Sequence, residues 1–219
     1  MKIKLYVVGL LGTNCFLVWD EISQDAMIID PGDYKKAISS DITGKGLRLK
    51  YIVLTHGHGD HIGGVPEFKV DFPDAQLVCG EGDLELMRDT DMNSSAYFCR
   101  ERTVLEADLI IGEGDMLMLG DIAFKALETP GHTKGSLSFY VSGCDTELTG
   151  RQFSGTVFSG DLLFQNSIGR TDMPGGDFAE LKTSIQEKLF CLPGDTLVLP
   201  GHMDASTIEN EKLYNPFLR

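Results

Sequence analysis

All five histidines of this chain stand just beyond short apolar runs, in loops rich in glycine and proline. Three of them fall within Thr55-His56-Gly57-His58-Gly59-Asp60-His61, directly after the apolar, β-branched run Leu49–Leu54. The other two share a local grammar, Thr129-Pro130-Gly131-His132 and Leu199-Pro200-Gly201-His202. In each, a strand-like run ends in Pro-Gly and delivers a histidine to the loop beyond. Loops at strand ends are where a rigid scaffold holds a ligand and keeps it accessible. Histidines scattered over surface and core would not all share that context.

The remaining chain reads as strands with helices set between them. Lys2–Val8 and Thr13–Trp19 flank Gly9-Leu10-Leu11-Gly12 and predict a hairpin. Ala26–Ile29 is a strand stopped by Asp30-Pro31-Gly32, and Asp33–Ile42 reads as a short helix with Asp33 at its N-terminus. A strand at Gln76–Cys79 precedes a helical stretch from Gly82 to Met92. Leu109–Ile111, Met116–Leu119 and Ile122–Leu127 are apolar pieces separated by turn compositions. Gly135–Val141 and Thr156–Ser159 are strands around a polar excursion, Ser142–Gly155, which carries Cys144 and Arg151. Asp177–Phe190 is an amphipathic helix with Phe178, Leu181, Ile185 and Leu189 at helical spacing. Thr196–Leu199 is a last strand and Ser206–Leu213 a last helix. Strands in both halves with interleaved helices suggest two sheets face to face with helices outside.

Imidazole and carboxylate suit Zn²⁺, Fe²⁺ or Mn²⁺. His56 and His58, two apart on an irregular loop, can turn to one metal, while Asp60 and His61 face a second position. Gly57, Gly59, Gly63 and Gly64 are expected to supply the backbone angles of so tight a loop. Five histidines and a carboxylate overfill one tetrahedral site, so two metals sharing a bridging carboxylate use them better. Asp161, ending the run Thr156-Val157-Phe158-Ser159-Gly160, is the candidate bridge. Asp30 ends a strand in the same way and is expected to brace the histidine loop.

The chain has 219 residues, with 19 Lys plus Arg against 33 Asp plus Glu, for a net charge of −14. An acidic chain disfavours nucleic-acid and anionic-membrane partners, which need a basic face. Its five cysteines are scattered without a C-x-x-C, and Met1–Gly9 reads as a strand rather than an export signal. Both point to reduced thiols and a cytoplasmic location. No apolar stretch approaches the roughly 18 residues of a membrane span.

Thr55-His56-Gly57-His58-Gly59-Asp60-His61 resembles the T-H-x-H-x-D-H signature of the metallo-β-lactamase superfamily. Asp30-Pro31-Gly32, Pro130-Gly131-His132-Thr133, Gly160-Asp161 and Pro200-Gly201-His202 follow in that family's order. The resemblance covers nearly the whole chain. It implies an αββα sandwich, two mixed β-sheets with helices on both outer faces, as one domain over residues 1–219 with a binuclear site at one edge. By the same resemblance His56, His58 and His132 hold the first metal, Asp60, His61 and His202 the second, and Asp161 bridges them. The expected cofactors are two divalent ions, zinc first and iron or manganese as alternatives.

Within that superfamily, Phe158–Phe164, Ser167–Asp177 and Asn215–Leu218 resemble short glyoxalase II-like hydrolases, that is, hydroxyacylglutathione hydrolases. The implied reaction is hydrolysis of a small-molecule thioester such as S-lactoylglutathione. Two metals would acidify a shared water to hydroxide, which attacks the thioester carbonyl while Asp60 orients it. Glyoxalase II proper has an added C-terminal helical domain that contacts glutathione, and the short tail after His202 leaves no room for it. Its Lys-x-Tyr contact is replaced here by Arg170-Thr171-Asp172, so Arg170 is the candidate for an anionic part of the substrate. The same Gly-Arg-Thr-Asp occurs in persulfide dioxygenases, which share the fold but use one iron and molecular oxygen. A redox module like the diiron flavoproteins would need a flavin domain, and lactonase or RNA-processing branches fit less well. Met87, Met92, Tyr97 and Phe98 could wall the substrate pocket, with core packing the preferred expectation, and the acidic face of Asp177–Phe190 is expected in solvent.

Overall fold

The computed structural model describes residues 1–143, 145 and 150–219. Two six-stranded sheets carry the chain. The first is formed by β1 (Lys2–Val8), β2 (Thr13–Trp19), β3 (Asp25–Ile29), β4 (Arg48–Val53), β5 (Gln76–Gly80) and β6 (Leu109–Ile111), in that order. β1, β2 and β3 pair antiparallel, and β3 through β6 run parallel. The second contains β7 (Met116–Leu119), β8 (Ile122–Glu128), β9 (Leu137–Ser142), β10 (Gly155–Gly160), β13 (Leu197–Pro200) and β14 (Ser206–Thr207), in the order β14-β13-β10-β9-β8-β7. Only β10 and β13 pair parallel there; the other described pairs are antiparallel. A small hairpin of β11 (Leu163–Phe164) and β12 (Ser167–Ile168) follows β10.

Side-chain alternation assigns each strand face to a layer. Along β2 and β3, Phe16, Val18, Met27 and Ile29 point between the sheets, where they meet Phe124, Phe139, Phe158 and Leu199 of the second sheet. The intervening Cys15, Leu17, Ala26 and Ile28 point outward and pack on Ile38 and Ile42 of the Lys36–Gly44 helix and on Val65 and Phe68 of the Val65–Asp71 helix. Strands buried on both faces therefore read as continuous apolar runs. The outer face of the second sheet presents Leu127, Val157 and Val198 to Leu181 and Ile185 of the Phe178–Glu187 helix and to Ile208 of the Ile208–Tyr214 helix. The layers are helix, sheet, sheet, helix, the αββα sandwich that the resemblance implies. No helix among the described residues is long and apolar enough to cross a membrane.

Several local expectations are corrected. The first helix starts at Lys36, and Asp33 lies before it, 3.4 Å from Arg100. The Gly82–Met92 stretch breaks into a 3-10 turn and a helix, Leu84–Arg88, because the Asp89 carboxylate takes the amides of Asp91 and Met92 and turns the chain. Ser206–Leu213 is not helical throughout: Ser206 and Thr207 pair as β14, and Thr207 then caps the helix by accepting from Asn210 N–H. Phe178 is 49% exposed, off the apolar face expected to include it. The polar excursion 142–155 falls partly outside the described residues, at Cys144 and 146–149. The four described cysteines, Cys15, Cys79, Cys99 and Cys191, are free thiols.

Candidate metal centre

One edge of the sandwich collects the loops that follow β3, β4, β8, β10 and β13. The two sheets are joined there by backbone bonds, Leu137 N–H to Thr55 O and Asn14 N–H to Gly201 O, both 2.7 Å. The loop after β4 carries His56 and His58, and the short helix Gly59–Ile62 then presents Asp60 and His61. The loops after β8, β10 and β13 bring His132, Asp161 and His202.

All seven expected ligand residues converge. Three groups have their ligating atoms within 4.8 Å of one another: His56 with His58 and His132, His56 with His61 and Asp161, and Asp60 with His61 and His202. His58 Nδ1 and His132 Nε2 lie 2.9 Å apart. Asp161 faces both ends, 3.4 Å from His61 Nε2, 3.7 Å from His132 Nε2 and 3.6 Å from His202 Nε2. His202 Nε2 is 3.1 Å from Asp60 Oδ2. Within the protein, His56 Nε2, His61 Nε2 and Asp161 Oδ1 are buried without a hydrogen-bond partner, and His58 turns Nδ1 to the same place. Buried polar atoms are rarely left so, and this many at one point calls for a ligand. A nitrogen-and-oxygen donor set without thiolate fits zinc, iron or manganese.

The outward nitrogens of His56 and His132 are tied down, which fixes which of their lone pairs point inward. His132 Nδ1 donates to the Arg170 carbonyl at 2.7 Å. His56 Nδ1 lies 3.1 Å from Thr55 Oγ1, and that hydroxyl donates to Asp30 Oδ2 at 2.7 Å. Asp30 also takes the Thr55 amide and stands 3.0 Å from His61 Nδ1, so it braces the histidine loop as expected. It does so from a left-handed backbone, φ 51°.

Two further braces were not read from the sequence. Asp83 accepts from Gly57 N–H, Thr133 Oγ1 and Gly135 N–H, all at 2.8 Å, and so locks the loop of His56 and His58 to the loop of His132. Its one sequence signal was its place just beyond β5, the strand-end position of Asp30 and Asp161. Asn14 Nδ2 donates to Pro200 O and Met203 O, holding the loop of His202. The glycines of the histidine loop also serve differently from expectation. None of Gly57, Gly59, Gly63 and Gly64 has a positive φ. They allow close approach instead: a Cβ on Gly63 would lie 2.5 Å from Gly32 O. Gly201 is similar, since its Cβ would meet Asp161 Oδ1 at 2.3 Å.

The charge states divide the centre in two. Burial, reinforced by neighbouring imidazoles, holds His56 well below the ordinary 6.5 and lowers His58 to about 3, so both rings are neutral donors at neutral pH. At His61 burial opposes the charge, but Asp161, Asp60 and Asp30 outweigh it and raise its pKa well above 6.5. His202 is raised in the same way, against burial, by Asp60 and Asp161. Burial also works against the charges of Asp60 and Asp161, and the imidazoles outweigh it and keep both low. Divalent ions would replace protons on the second group and find neutral lone pairs on the first.

The chain matches the metallo-beta-lactamase superfamily model over residues 8–202. It belongs to that superfamily. A probable metallo-hydrolase of Bacillus subtilis is 39% identical over 100% of this chain and 98% of its own length. The hydroxyacylglutathione hydrolase GloC of Haemophilus influenzae is 34% identical, covering 100% and 98%. A mitochondrial persulfide dioxygenase of Mus musculus is 32% identical, over 94% of this chain and 71% of that protein. Among solved structures, the B3 metallo-β-lactamase BLEG-1 superposes with a TM-score of 0.85 at 32% identity, covering 99% of both chains. TTHA1623, solved in a di-iron-bound form, gives 0.79 at 33% identity, covering 98% of this chain and 100% of its own. The chain is thus a metallo-hydrolase superfamily member with a His/Asp metal-binding cluster.

That cluster forms the floor of a cleft of about 450 Å³. Its walls include Leu11, Phe98, Phe164, Ile168, Met173 and Met203. Arg170 also lines it, but its guanidinium holds Asp172 by two hydrogen bonds of 2.8 Å, and the Asp172 carboxyl is drawn down to about 2. The arginine's backbone carbonyl, rather than its charge, is what touches the centre. Of the four side chains expected in the core only Met87 is buried; Met92, Tyr97 and Phe98 are exposed, Phe98 at the cleft. A cavity of about 520 Å³, between Leu5, Phe16 and Asn210, contains none of the seven ligand residues.

Proposed function

We propose that this protein is a binuclear metal-dependent thioesterase, acting on a small-molecule thioester of which S-lactoylglutathione is the reference example. The observation that carries the reading is the doubled ligand set: His56, His58 and His132 on one side, Asp60, His61 and His202 on the other, and Asp161 within 3.7 Å of three of those rings. Paired metals bound there would supply an acidified water and polarise a carbonyl near neutral pH. Zinc is the first choice of ion, with iron or manganese as alternatives.

The chain's own residues do the rest. Asp60, whose Oδ2 lies 3.3 Å from Thr13 Oγ1 and 3.1 Å from His202 Nε2, is held as a carboxylate in place to orient the attacking water. Asp30 and the Arg170 carbonyl orient the histidine rings, and Asp83 fixes the loops that carry them. A thiolate is a good leaving group, so no separate general acid is needed. The GloC relative supports this branch.

The competing reading is a mononuclear iron persulfide dioxygenase, supported by the mouse relative and by Gly169-Arg170-Thr171-Asp172. Strictly anaerobic assays separate the two. The thioesterase releases free thiol from S-lactoyl thioesters with water as the only co-substrate. Oxygen uptake with glutathione persulfide, and no anaerobic thiol release from any thioester, would overturn the proposal.

A further inference from the structure

The walls of the cleft above the metal centre are apolar. Leu11 comes from the β1–β2 hairpin, Phe98 from the Ser95–Phe98 helix, Phe164 and Ile168 from the β11–β12 hairpin, Met173 from the loop beyond it, and Met203 from the loop of His202. Three of them stand open: Leu11 is 48%, Phe98 43% and Met203 60% exposed. Met203 holds that position on a left-handed backbone, φ 66°, with its carbonyl fixed by Asn14 at 2.9 Å. Ser94, at the same rim and just before Phe98, is also left-handed, φ 65°. Backbone strain of this kind persists where the surroundings enforce it, and it clusters at ligand sites. The cation at the wall, Arg170, is already neutralised by Asp172.

We infer that the cleft receives an apolar acyl chain, so that the preferred substrate is a thioester of a medium-length aliphatic acid rather than of a small hydroxy acid. This rests on the thioesterase reading above and narrows it. The carbonyl carbon lies at the floor beside Asp60 and Asp161, and the acyl chain runs up between Phe98, Ile168 and Met203. Two flexible methionines let the wall close on chains of differing length. The thiol carrier, polar in every common biological thioester, finds few uncommitted polar partners in the walls and lies toward solvent. In the reaction water oxygen bonds to the acyl carbon and the carbon–sulfur bond breaks. The thiolate leaves with the sulfur electron pair and takes up a proton from water, giving a carboxylic acid and a thiol.

The test uses metal-loaded protein and acetyl, lactoyl, butanoyl, hexanoyl and octanoyl thioesters of N-acetylcysteamine, a small neutral thiol. Full burial of a methylene is worth roughly fourfold, so in an open cleft kcat/KM should rise at least tenfold from acetyl to octanoyl. Phe98→Ala and, on a separate loop, Met203→Ala should each shrink the octanoyl-to-acetyl ratio. A flat profile, or lactoyl ahead of octanoyl, overturns the inference and leaves the thioesterase reading standing. Calorimetry with the matching non-hydrolysable S-alkyl thioethers reads the cleft without catalysis. Binding that tightens with chain length supports the apolar pocket. Chain-length-independent binding overturns it, whatever the hydrolytic rates. If no thioester is hydrolysed while the thioethers bind with increasing affinity, the thioesterase reading fails and takes the substrate assignment with it, and the fault lies with the chemistry rather than the cleft.

Discussion

Asp161 is the residue on which the two halves of the centre meet, facing His61, His132 and His202 from the end of β10. Asp161→Ala should leave the far-ultraviolet circular dichroism unchanged, because no core cluster includes that side chain. Metal per chain and activity should both fall, the latter by more than the roughly 10–100-fold that residues merely orienting a ligand are worth. Retention of full metal content and rate would contradict its place. Arg170→Ala keeps the backbone carbonyl that orients His132 and removes only an exposed, paired charge. It should raise KM for S-lactoylglutathione by no more than about fivefold, an exposed pair being worth up to ~1 kcal/mol, with metal content unchanged. The ligands themselves were legible in sequence, since they stand just beyond apolar runs in segments rich in glycine and proline. Their braces were not: Asn14 acts across 186 residues on Pro200, and no local pattern announces such a contact.

At the scale of elements, the Phe178–Glu187 helix shows how packing places a ligand loop. Its N-cap residue Asp177 donates its amide to Gly131 O at 2.8 Å, and Ser184 Oγ donates to Pro130 O at 2.7 Å, pinning the segment that ends in His132. Leu181 is fully buried beneath that segment. Leu181→Ala should cost about 2–5 kcal/mol in chemical denaturation, whereas Phe178→Ala should stay within about 0.5 kcal/mol. Equal effects would show that the helix sits differently. The apolar spacing located this helix; only tertiary structure could show that Phe178 lies off its buried face. Strand positions were the best-read elements, because β-branched runs bounded by Gly, Pro and Asp leave little choice. The helix Val65–Asp71 was missed, its apolar spacing too short to stand out.

Where β3 and β4 begin, Asp25 accepts from Arg48 Nε at 2.7 Å and lies 3.4 Å from Lys50. Burial opposes its charge, yet Arg48, the Gly120 amide and Lys50 outweigh it and hold its pKa below the ordinary 3.8. A depressed carboxyl contributes stability that is present above the ordinary value and lost as pH falls through the folded one. Wild-type stability should therefore drop more steeply below about pH 4 than that of Asp25→Asn. Identical slopes in acid denaturation would remove the pair from the account.

For the molecule as a whole, the three apolar clusters lie between the sheets and under the outer helices, and the centre occupies one edge. The layered architecture was legible from element order together with the family resemblance. Which strand faces which layer emerged only from register and packing. The substrate cleft was the least legible feature, since its walls come from five separate loops and short elements. Fold and centre are separable in this arrangement, so the central claim is the double metal site rather than the sandwich. The most direct measurement of it is the number of transition-metal ions bound per chain when metal-depleted protein is titrated to full activity. The account predicts two, with activity reaching its plateau only as the second binds. Saturation of activity at a single tightly bound ion would contradict it.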